Sequence, residues 1–122
     1  MNILQIDDDK LTLTSIQYLA ESLGHKIQRA ANAEEAITLA TNKKFDLILS
    51  DIMMPGISGL SLVNILRTVH LCDTPVIMMS ALSNQPLIEA IYEAGANDFL
   101  AKPFSADEFE KKLEKYDTGV KK

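Results

Sequence analysis

The sequence predicts an α/β fold in which parallel strands form one sheet with helices on both of its faces. Short aliphatic runs alternate about five times with longer segments in which apolar residues recur at helical spacing, and this alternation is typical of βα units. Two of the inner runs are almost continuously apolar, as expected of central strands that helices cover on both sides. Because crossovers between parallel strands are right-handed, such units give a three-layer (βα)5 sandwich.

The first half of the chain contains two predicted strands, each followed by a helix. Residues 2–7 and 26–30 are short runs with β-branched or aliphatic side chains, which favour strands. After each run, apolar residues recur three and four positions apart, which is the period of a helix. The two apolar stripes are Ile16, Leu19, Ala20 and Leu23, and then Ala33, Ile37 and Ala40.

The second half contains three more strand and helix pairs. Residues 45–50, 74–79 and 97–101 are the predicted strands, and the first two of them are nearly continuous in apolar residues. Helical spacing returns after each strand. The stripes are Leu62, Ile65, Leu66 and Val69, then Leu87, Ala90, Ile91 and Ala94, and last Phe109, Leu113 and Tyr116.

Residues that commonly stand at helix ends fall at the predicted boundaries. Glycine is favoured just past a helix, and an Asn or Ser followed three positions later by Glu is favoured at its start. The signals are Gly24 and Gly95 as C-caps, Asn32 with Glu35 and Ser105 with Glu108 as capping boxes, and Phe104 with Phe109 as a hydrophobic staple.

The composition indicates a single globular domain. Of 122 residues, 47% are apolar and 24% are charged, which is ordinary for such a domain. We expect the domain to cover residues 1–117 and residues 118–122 to form a polar C-terminal tail. The net charge of −5 argues against direct nucleic-acid binding, which requires a basic surface.

The sequence also predicts a cytoplasmic location without membrane contact. No apolar stretch approaches the ~20 residues that cross a bilayer, and Met1 is not followed by a basic and apolar leader. Cys72 is the sole cysteine, so an internal disulfide is excluded. The lysines of the last helix and tail are expected to be solvated surface charges: Lys111, Lys112, Lys115, Lys121 and Lys122.

Residues capable of phosphate chemistry follow three of the predicted strands. Asp7, Asp8 and Asp9 follow the first, Asp51 the third and Lys102 the fifth. Because the carboxyl ends of parallel strands share one edge of the sheet, we expect these side chains to converge there. Carboxylates about 4 Å apart repel strongly enough to call for a cation, and hard oxygen ligands with room for water select Mg²⁺. With a hydroxyl after the fourth strand, this set is suited to phosphoryl transfer.

Four motifs in chain order resemble those of response-regulator receiver domains, the chemotaxis-regulator-like modules of two-component signalling. They are the acidic pair Asp7-Asp8, the Asp-x-x-Met-Pro-Gly turn from Asp51 to Gly56, the step Ser80-Ala81, and Lys102-Pro103-Phe104. The resemblance extends over essentially the whole chain. It implies a flavodoxin-like fold whose five-stranded sheet has the order 2-1-3-4-5.

By that resemblance, Asp51 is the phosphoacceptor for a phosphohistidine of a sensor histidine kinase or phosphotransfer protein. Mg²⁺ is held by Asp8, Asp51 and the backbone carbonyl of Met53, with Asp7 acting through water. Lys102 neutralises charge on the phosphoryl oxygens. The chain is then a phosphoacceptor that assists its own phosphorylation and dephosphorylation, and it is not classed as an enzyme.

The resemblance also implies a switch and an output face. Ser80 is expected to hydrogen-bond the new phosphoryl group, and Phe99 to rotate into the space that Ser80 vacates. The face formed by the fourth helix, fifth strand and fifth helix then changes shape for an unidentified downstream target, and a homodimer on phosphorylation is left open. The Lys102–Pro103 bond is expected to be cis. Bulky apolar side chains at Met53 and Leu82 predict slow self-dephosphorylation.

Two other functions are weighed against this one. Asp7-x-Asp9 after an apolar strand resembles the nucleophile motif of haloacid-dehalogenase-type phosphatases, with Asp7 as the nucleophile, but that function leaves Asp51 unexplained and no later strand ends on the acidic pair which that family needs. The other is a receiver-like interaction module that is never phosphorylated. The kinase, its stimulus and the output are not specified by the sequence.

Overall fold

The computed structural model describes residues 1–54 and 56–117, along which five strands alternate with five helices. The strands are β1 (Asn2–Ile6), β2 (Lys26–Ala30), β3 (Leu47–Asp51), β4 (Val76–Ser80) and β5 (Asp98–Ala101). The helices are α1 (Lys10–Ser22), α2 (Ala33–Asn42), α3 (Gly59–Thr68), α4 (Gln85–Ala94) and α5 (Ala106–Tyr116). All strands pair in parallel in the order β2-β1-β3-β4-β5, which confirms the predicted fold class and strand order.

Helices cover both faces of the sheet. Successive residues of a strand point to opposite faces, so each strand contributes side chains to both layers of helices. Ile48 of β3 lies in a buried cluster with residues of α2, α3 and α4. Its neighbours Leu47 and Leu49 lie in a second cluster with residues of α1 and α5. The central strands are therefore buried on both faces, which explains why their sequences are almost continuously apolar.

The two inner strands β3 and β4 start two residues later and end one residue later than predicted. Pro75 has no N–H to donate to a neighbouring strand, so β4 begins after it, although the Pro75 carbonyl accepts a hydrogen bond from the Ile48 N–H at 2.9 Å. β1 and β5 are each one residue shorter than predicted. As a result Asp51 and Ser80 are the last residues of their strands and stand at the carboxyl edge of the sheet.

The helix ends follow the predicted signals with two differences, at Gly24 and at Glu35. Ser105 and Glu108 form the complete capping box at the start of α5. Asn32 caps α2 by accepting from the Glu35 N–H, but the Glu35 carboxylate accepts from the Ala31 N–H rather than from Asn32. The other signals are Gly95 as the C-cap of α4 (φ 111°), Gly24 one residue past the C-cap of α1 (φ 90°), and the stacked rings of Phe104 and Phe109, 5.8 Å apart.

A buried carboxylate that the sequence interpretation missed fastens α5 to β5. Asp98 is 3% exposed and accepts hydrogen bonds from Lys112 and Lys115, both at 2.7 Å, and from the Tyr116 hydroxyl at 3.0 Å. Burial acts to raise the pKa of Asp98, but these donors outweigh burial and hold that pKa well below its usual range. Burial and the Asp98 carboxylate raise the pKa of Tyr116 to about 12. Lys112 and Lys115 are therefore more than solvated surface charges, although the Lys115 side chain remains 61% exposed.

Two predictions concern residues that the structure does not describe. Pro55 of the turn motif and the predicted tail over 118–122 both lie outside the described residues. Among the helices of the described part of the chain, none is both long enough and apolar enough to cross a bilayer.

Candidate functional site

The candidate site lies where β1, β3 and β5 end. Asp7 directly follows β1, Asp51 is the last residue of β3 and Lys102 directly follows β5. The Asp7 N–H donates to the carbonyl of Ala30, and the Lys102 N–H donates to the carbonyl of Ser80, so both chain segments remain tied to the neighbouring strand. The rigid sheet edge therefore determines where each of these side chains starts.

Three carboxylates and one ammonium group meet at this edge. Asp7, Asp8 and Asp51 each place a carboxylate oxygen within 4.8 Å of the other two. The Lys102 Nζ lies 3.5 Å from Asp7 Oδ2 and 3.5 Å from Asp51 Oδ1. Asp7 is 0% exposed and Asp51 is 9% exposed, whereas Asp8 is open to solvent. The structure thus brings together four of the five charged residues that the sequence singled out, all but Asp9, and Lys102 alone leaves them with excess negative charge.

The surroundings of Asp51 disfavour the charged form of its carboxyl group. Burial raises the pKa of Asp51 above its usual value, and the nearby Asp7 carboxylate raises it further. The ammonium of Lys102 and the backbone N–H groups of Met53 and Ile52 act in the opposite direction but do not cancel these effects. The charged form of such a carboxylate is stabilised by any nearby group that adds positive charge.

Asp9 does not join the carboxylate cluster, and its side chain points instead into the start of α1. Its carboxylate accepts from the Thr12 N–H at 3.2 Å and from the Thr12 hydroxyl at 2.6 Å, which makes it the N-cap of α1. These hydrogen bonds lower the pKa of Asp9. The Asp9 N–H in turn donates to Asp7 Oδ1 at 2.9 Å. Asp9 therefore helps to orient a member of the cluster without belonging to it.

The donor set fits a divalent cation. The three carboxylates are hard oxygen ligands, which Mg²⁺ prefers over nitrogen or sulfur. Asp7 Oδ2 is buried and has no hydrogen-bond partner, and its ion pair with Lys102 is long at 3.5 Å. A buried carboxylate oxygen in this state is stabilised by a cation.

Ser80 and Phe99 lie on the neighbouring strands β4 and β5. Ser80 ends β4 and is 2% exposed, and its Oγ accepts a hydrogen bond from the Leu82 N–H at 3.0 Å. Phe99 is half-buried and packs, like Leu87 of α4, against the core cluster on the α2, α3 and α4 face of the sheet. In this structure the hydroxyl of Ser80 is thus engaged by the loop that leads to α4.

A glycine that the sequence interpretation did not single out packs directly against the site. The Gly59 N–H at the start of α3 donates to the Ile52 carbonyl at 2.8 Å. A Cβ at this position would overlap the Asp51 carbonyl oxygen and would lie 2.7 Å from Met78 Cε and 2.9 Å from Ile52 Cα. Only glycine therefore lets α3 approach the end of β3 so closely. A Ser-Gly pair at a helix start is too common in sequences to reveal this.

The Lys102–Pro103 peptide bond is cis, in agreement with the resemblance. Met53 and Leu82, whose side chains the sequence associates with slow dephosphorylation, are 67% and 56% exposed. Both therefore lie on the solvent side of the loops that follow β3 and β4.

Comparisons with known proteins bear on the family of this chain and on its fold. The family model described as response regulator receiver domain matches residues 3–114. The transcriptional regulatory protein CrdR of Helicobacter pylori is 32% identical over 114 residues, which cover 93% of this chain and 54% of CrdR. The solved structure of chemotaxis protein CheY4 of Vibrio cholerae has a TM-score of 0.89 at 26% identity, covering 94% of this chain and 97% of that one.

A further solved structure bears on the metal. The receiver domain of sensor histidine kinase PA1611 from Pseudomonas aeruginosa has a TM-score of 0.86 at 30% identity, covering 94% of this chain and 95% of that one. That structure has a magnesium ion coordinated in its active site cleft. The chain spans about half the length of the curated transcriptional regulators that it matches.

Proposed function

We propose that this chain, which belongs to the response regulator receiver domain family, accepts a phosphoryl group on Asp51 from a phosphohistidine. The donor is a sensor histidine kinase or a histidine phosphotransfer protein, and the proposal places the chain in the cytoplasm with it. The observation that carries the proposal is the Lys102 ammonium, which lies 3.5 Å from both Asp51 and Asp7 while Asp8 approaches from the solvent side.

The transfer exchanges one bond for another. An Asp51 carboxylate oxygen forms a bond to phosphorus as the bond from phosphorus to the imidazole nitrogen breaks, and the electron pair of the broken bond stays with the imidazole. Asp51 is the nucleophile of this step because its carboxylate stands at the sheet edge beside Lys102. Lys102 stabilises the negative charge that spreads over the phosphoryl oxygens.

We assign the metal site to Asp8, Asp51 and the Met53 backbone carbonyl, with Asp7 acting through water. When bound, Mg²⁺ supplies positive charge next to the phosphoryl oxygens. The support is the excess of three carboxylates over one ammonium and the unpartnered buried oxygen of Asp7.

The proposed switch involves Ser80 and Phe99. Phosphorylation adds oxygens that accept hydrogen bonds, so the Ser80 hydroxyl exchanges its contact with the Leu82 N–H for one with the phosphoryl group. Phe99 then moves into the space that Ser80 leaves. The face formed by α4, β5 and α5 changes shape, and a downstream target or a second copy of the chain binds the changed face.

The phosphodonor is proposed to dock beside α1. A groove of about 470 Å³ opens between α1 and the loop after β5, and Lys102 forms part of its wall. Leu11, at the start of this groove, is 75% exposed. An exposed apolar side chain in a groove that Lys102 also lines suits a partner that has to approach Asp51 closely. Leu11→Glu should therefore slow transfer from a protein donor and leave transfer from a small phosphodonor unchanged.

The proposal is tested by identifying the residue that carries the phosphoryl group. The protein is incubated with Mg²⁺ and acetyl phosphate, the acyl phosphate is reduced with borohydride, and the product is mapped by mass spectrometry, with Asp51→Asn as the control. We expect the label on Asp51 and none in the variant. Label on Asp7 would support the phosphatase alternative, and no label at millimolar Mg²⁺ would support an interaction module that is not phosphorylated.

A further inference from the structure

Gln5 is a polar side chain in a place where an apolar one would be expected. It lies in β1 and is 0% exposed, and its register partner on β3 is the apolar residue Leu49. Its Oε1 atom has no hydrogen-bond partner, and among the residues described the only other buried side-chain atom in that state is Asp7 Oδ2. A buried carbonyl oxygen without a partner destabilises the folded state. Gln5 is therefore not explained by stability.

The amide group of Gln5 contacts the first turn of α1. Its Nε2 donates to the carbonyl of Thr12 at 3.4 Å, which is long for a hydrogen bond. Thr12 lies inside α1, so its carbonyl also has the regular helical position for accepting a bond from four residues further on. The hydrogen bond from Gln5 is thus additional to the helical one, and the Thr12 carbonyl does not need it to have a hydrogen-bond partner.

This contact closes a ring of hydrogen bonds beneath the carboxylate cluster. Thr12 donates through its N–H and its hydroxyl to the Asp9 carboxylate, and the Asp9 N–H donates to Asp7 Oδ1. Asp7 follows Gln5 by two residues, so both side chains leave the chain toward the same face of the sheet. The ring therefore runs from Gln5 to Thr12, to Asp9, to Asp7 and back along β1.

We propose that Gln5 is a positioning residue for the phosphoryl-transfer site. By holding α1 to β1, its amide fixes the segment from Asp7 to Asp9 in the conformation that presents Asp7 and Asp8 toward Asp51. Groups that orient metal ligands commonly change metal affinity by tenfold or more when they are removed. The inference rests on the proposed function for its metal readout, but the ring itself is formed by protein groups alone.

Gln5→Met is the test variant because methionine has a similar length and no hydrogen-bonding amide. Three quantities are compared with wild type: the thermal midpoint in EDTA, hydrogen exchange of the amides of residues 8–12 in EDTA, and the dissociation constant for Mg²⁺ by calorimetry. We expect an equal or higher midpoint, since the unpartnered oxygen is gone. We expect exchange about tenfold faster in the segment and Mg²⁺ binding about tenfold weaker.

Two further variants separate positioning from packing. Leu49→Met places the same side chain in the same layer of the core on β3, and it should leave exchange at residues 8–12 and Mg²⁺ binding unchanged. Thr12→Val weakens the next link of the ring, because it removes the hydroxyl bond to Asp9 and keeps the N–H bond. Its effect on Mg²⁺ binding should be smaller when Gln5→Met is already present.

Unchanged exchange in Gln5→Met overturns the proposal. A lower thermal midpoint of Gln5→Met with unchanged Mg²⁺ binding also overturns it, because Gln5 would then be a packing residue only. Equally fast exchange and equally weak Mg²⁺ binding in Leu49→Met would have the same meaning. If the wild-type protein binds no Mg²⁺ and takes no phosphoryl group, the proposed function fails. The exchange comparison, made without metal, still decides the role of Gln5 in that case.

Discussion

Replacing Asp51 with asparagine is expected to make the metal-free protein more stable, because folding holds this carboxylate in an unfavourable setting. At an effective dielectric constant of 20, the Lys102 ammonium at 3.5 Å attracts it by about 5 kcal/mol. Asp7 lies no more than 4.8 Å away, so its repulsion is at least about 3.5 kcal/mol on the same scale. Attraction therefore exceeds repulsion by a small margin at most, and burying the charge costs several kcal/mol more. We expect Asp51→Asn to raise the free energy of unfolding by about 1–2 kcal/mol at pH 7.

The pH dependence should have the same origin. The pKa of Asp51 is raised in the folded state, so the folded protein holds this proton more tightly than the unfolded chain. The stability that the protonated form contributes is complete below the unfolded pKa of about 4 and is lost as the pH rises through the folded pKa. Wild type should therefore lose stability relative to Asp51→Asn as the pH rises from 4 to 7.

Urea unfolding followed by circular dichroism in EDTA measures both effects. Asp73→Asn is the matched control, since Asp73 is an exposed carboxylate in the loop before β4. Saturating Mg²⁺ should stabilise wild type more than Asp51→Asn, because the variant lacks one of the proposed ligands. The reasoning is refuted if Asp51→Asn in EDTA is no more stable than wild type while Asp73→Asn is neutral.

Three further predictions concern packing, pH and phosphoryl lifetime. Gly59→Ala should lower the free energy of unfolding by about 2 kcal/mol or more, because the new methyl group meets backbone atoms that cannot move away. Gly56 lies in open space at φ 81°, so Gly56→Ala should lower the free energy of unfolding by only about 1 kcal/mol, through backbone strain. Asp98→Asn should destabilise by about 2 kcal/mol at pH 7 in urea unfolding. Because the pKa of Asp98 is lowered on folding, this difference should be present above about pH 4 and should be lost as the pH falls below it. Placing Asn at Met53 and Glu at Leu82 should speed loss of the acyl phosphate, measured by its decay in Mg²⁺.

Each of these predictions has a clear contrary result. Equal stability of the two alanine variants would mean that α3 shifts without difficulty. A loss in Asp98→Asn that stays constant down to pH 2 would mean that charge plays no part. Decay of the acyl phosphate at the wild-type rate in the doubly substituted protein would show that the side chains at 53 and 82 do not control access of water.

The sequence predicted that Asp7, Asp51 and Lys102 would converge because these residues stand at strand ends. Asp7 and Lys102 follow apolar runs, and Asp51 ends another, so their positions can be read from local periodicity. The same reasoning gave no structural role to Asp9, which caps α1 through Thr12. A capping aspartate and a metal-binding aspartate look alike in a run of three acids, and only the direction of the side chain separates them.

Other features depend on contacts between residues far apart in the chain. Asp98 meets Lys112 and Lys115 only because α5 packs back across β5. The close approach of Gly59 to the end of β3, and the contact of Gln5 with α1, likewise need the assembled sheet. None of these pairs has a spacing that a helix or a strand would repeat, so periodicity does not reveal them.

By itself the sequence determined the order and type of the elements, the edge at which the charged residues gather and the family to which the chain belongs. These follow from hydrophobic period and from motifs a few residues long, both of which are local properties. The tertiary structure alone decided which buried polar groups find partners, how far each pKa departs from its usual value and where α3 needs a glycine. Those quantities depend on distances and burial, which arise only when distant parts of the chain pack together.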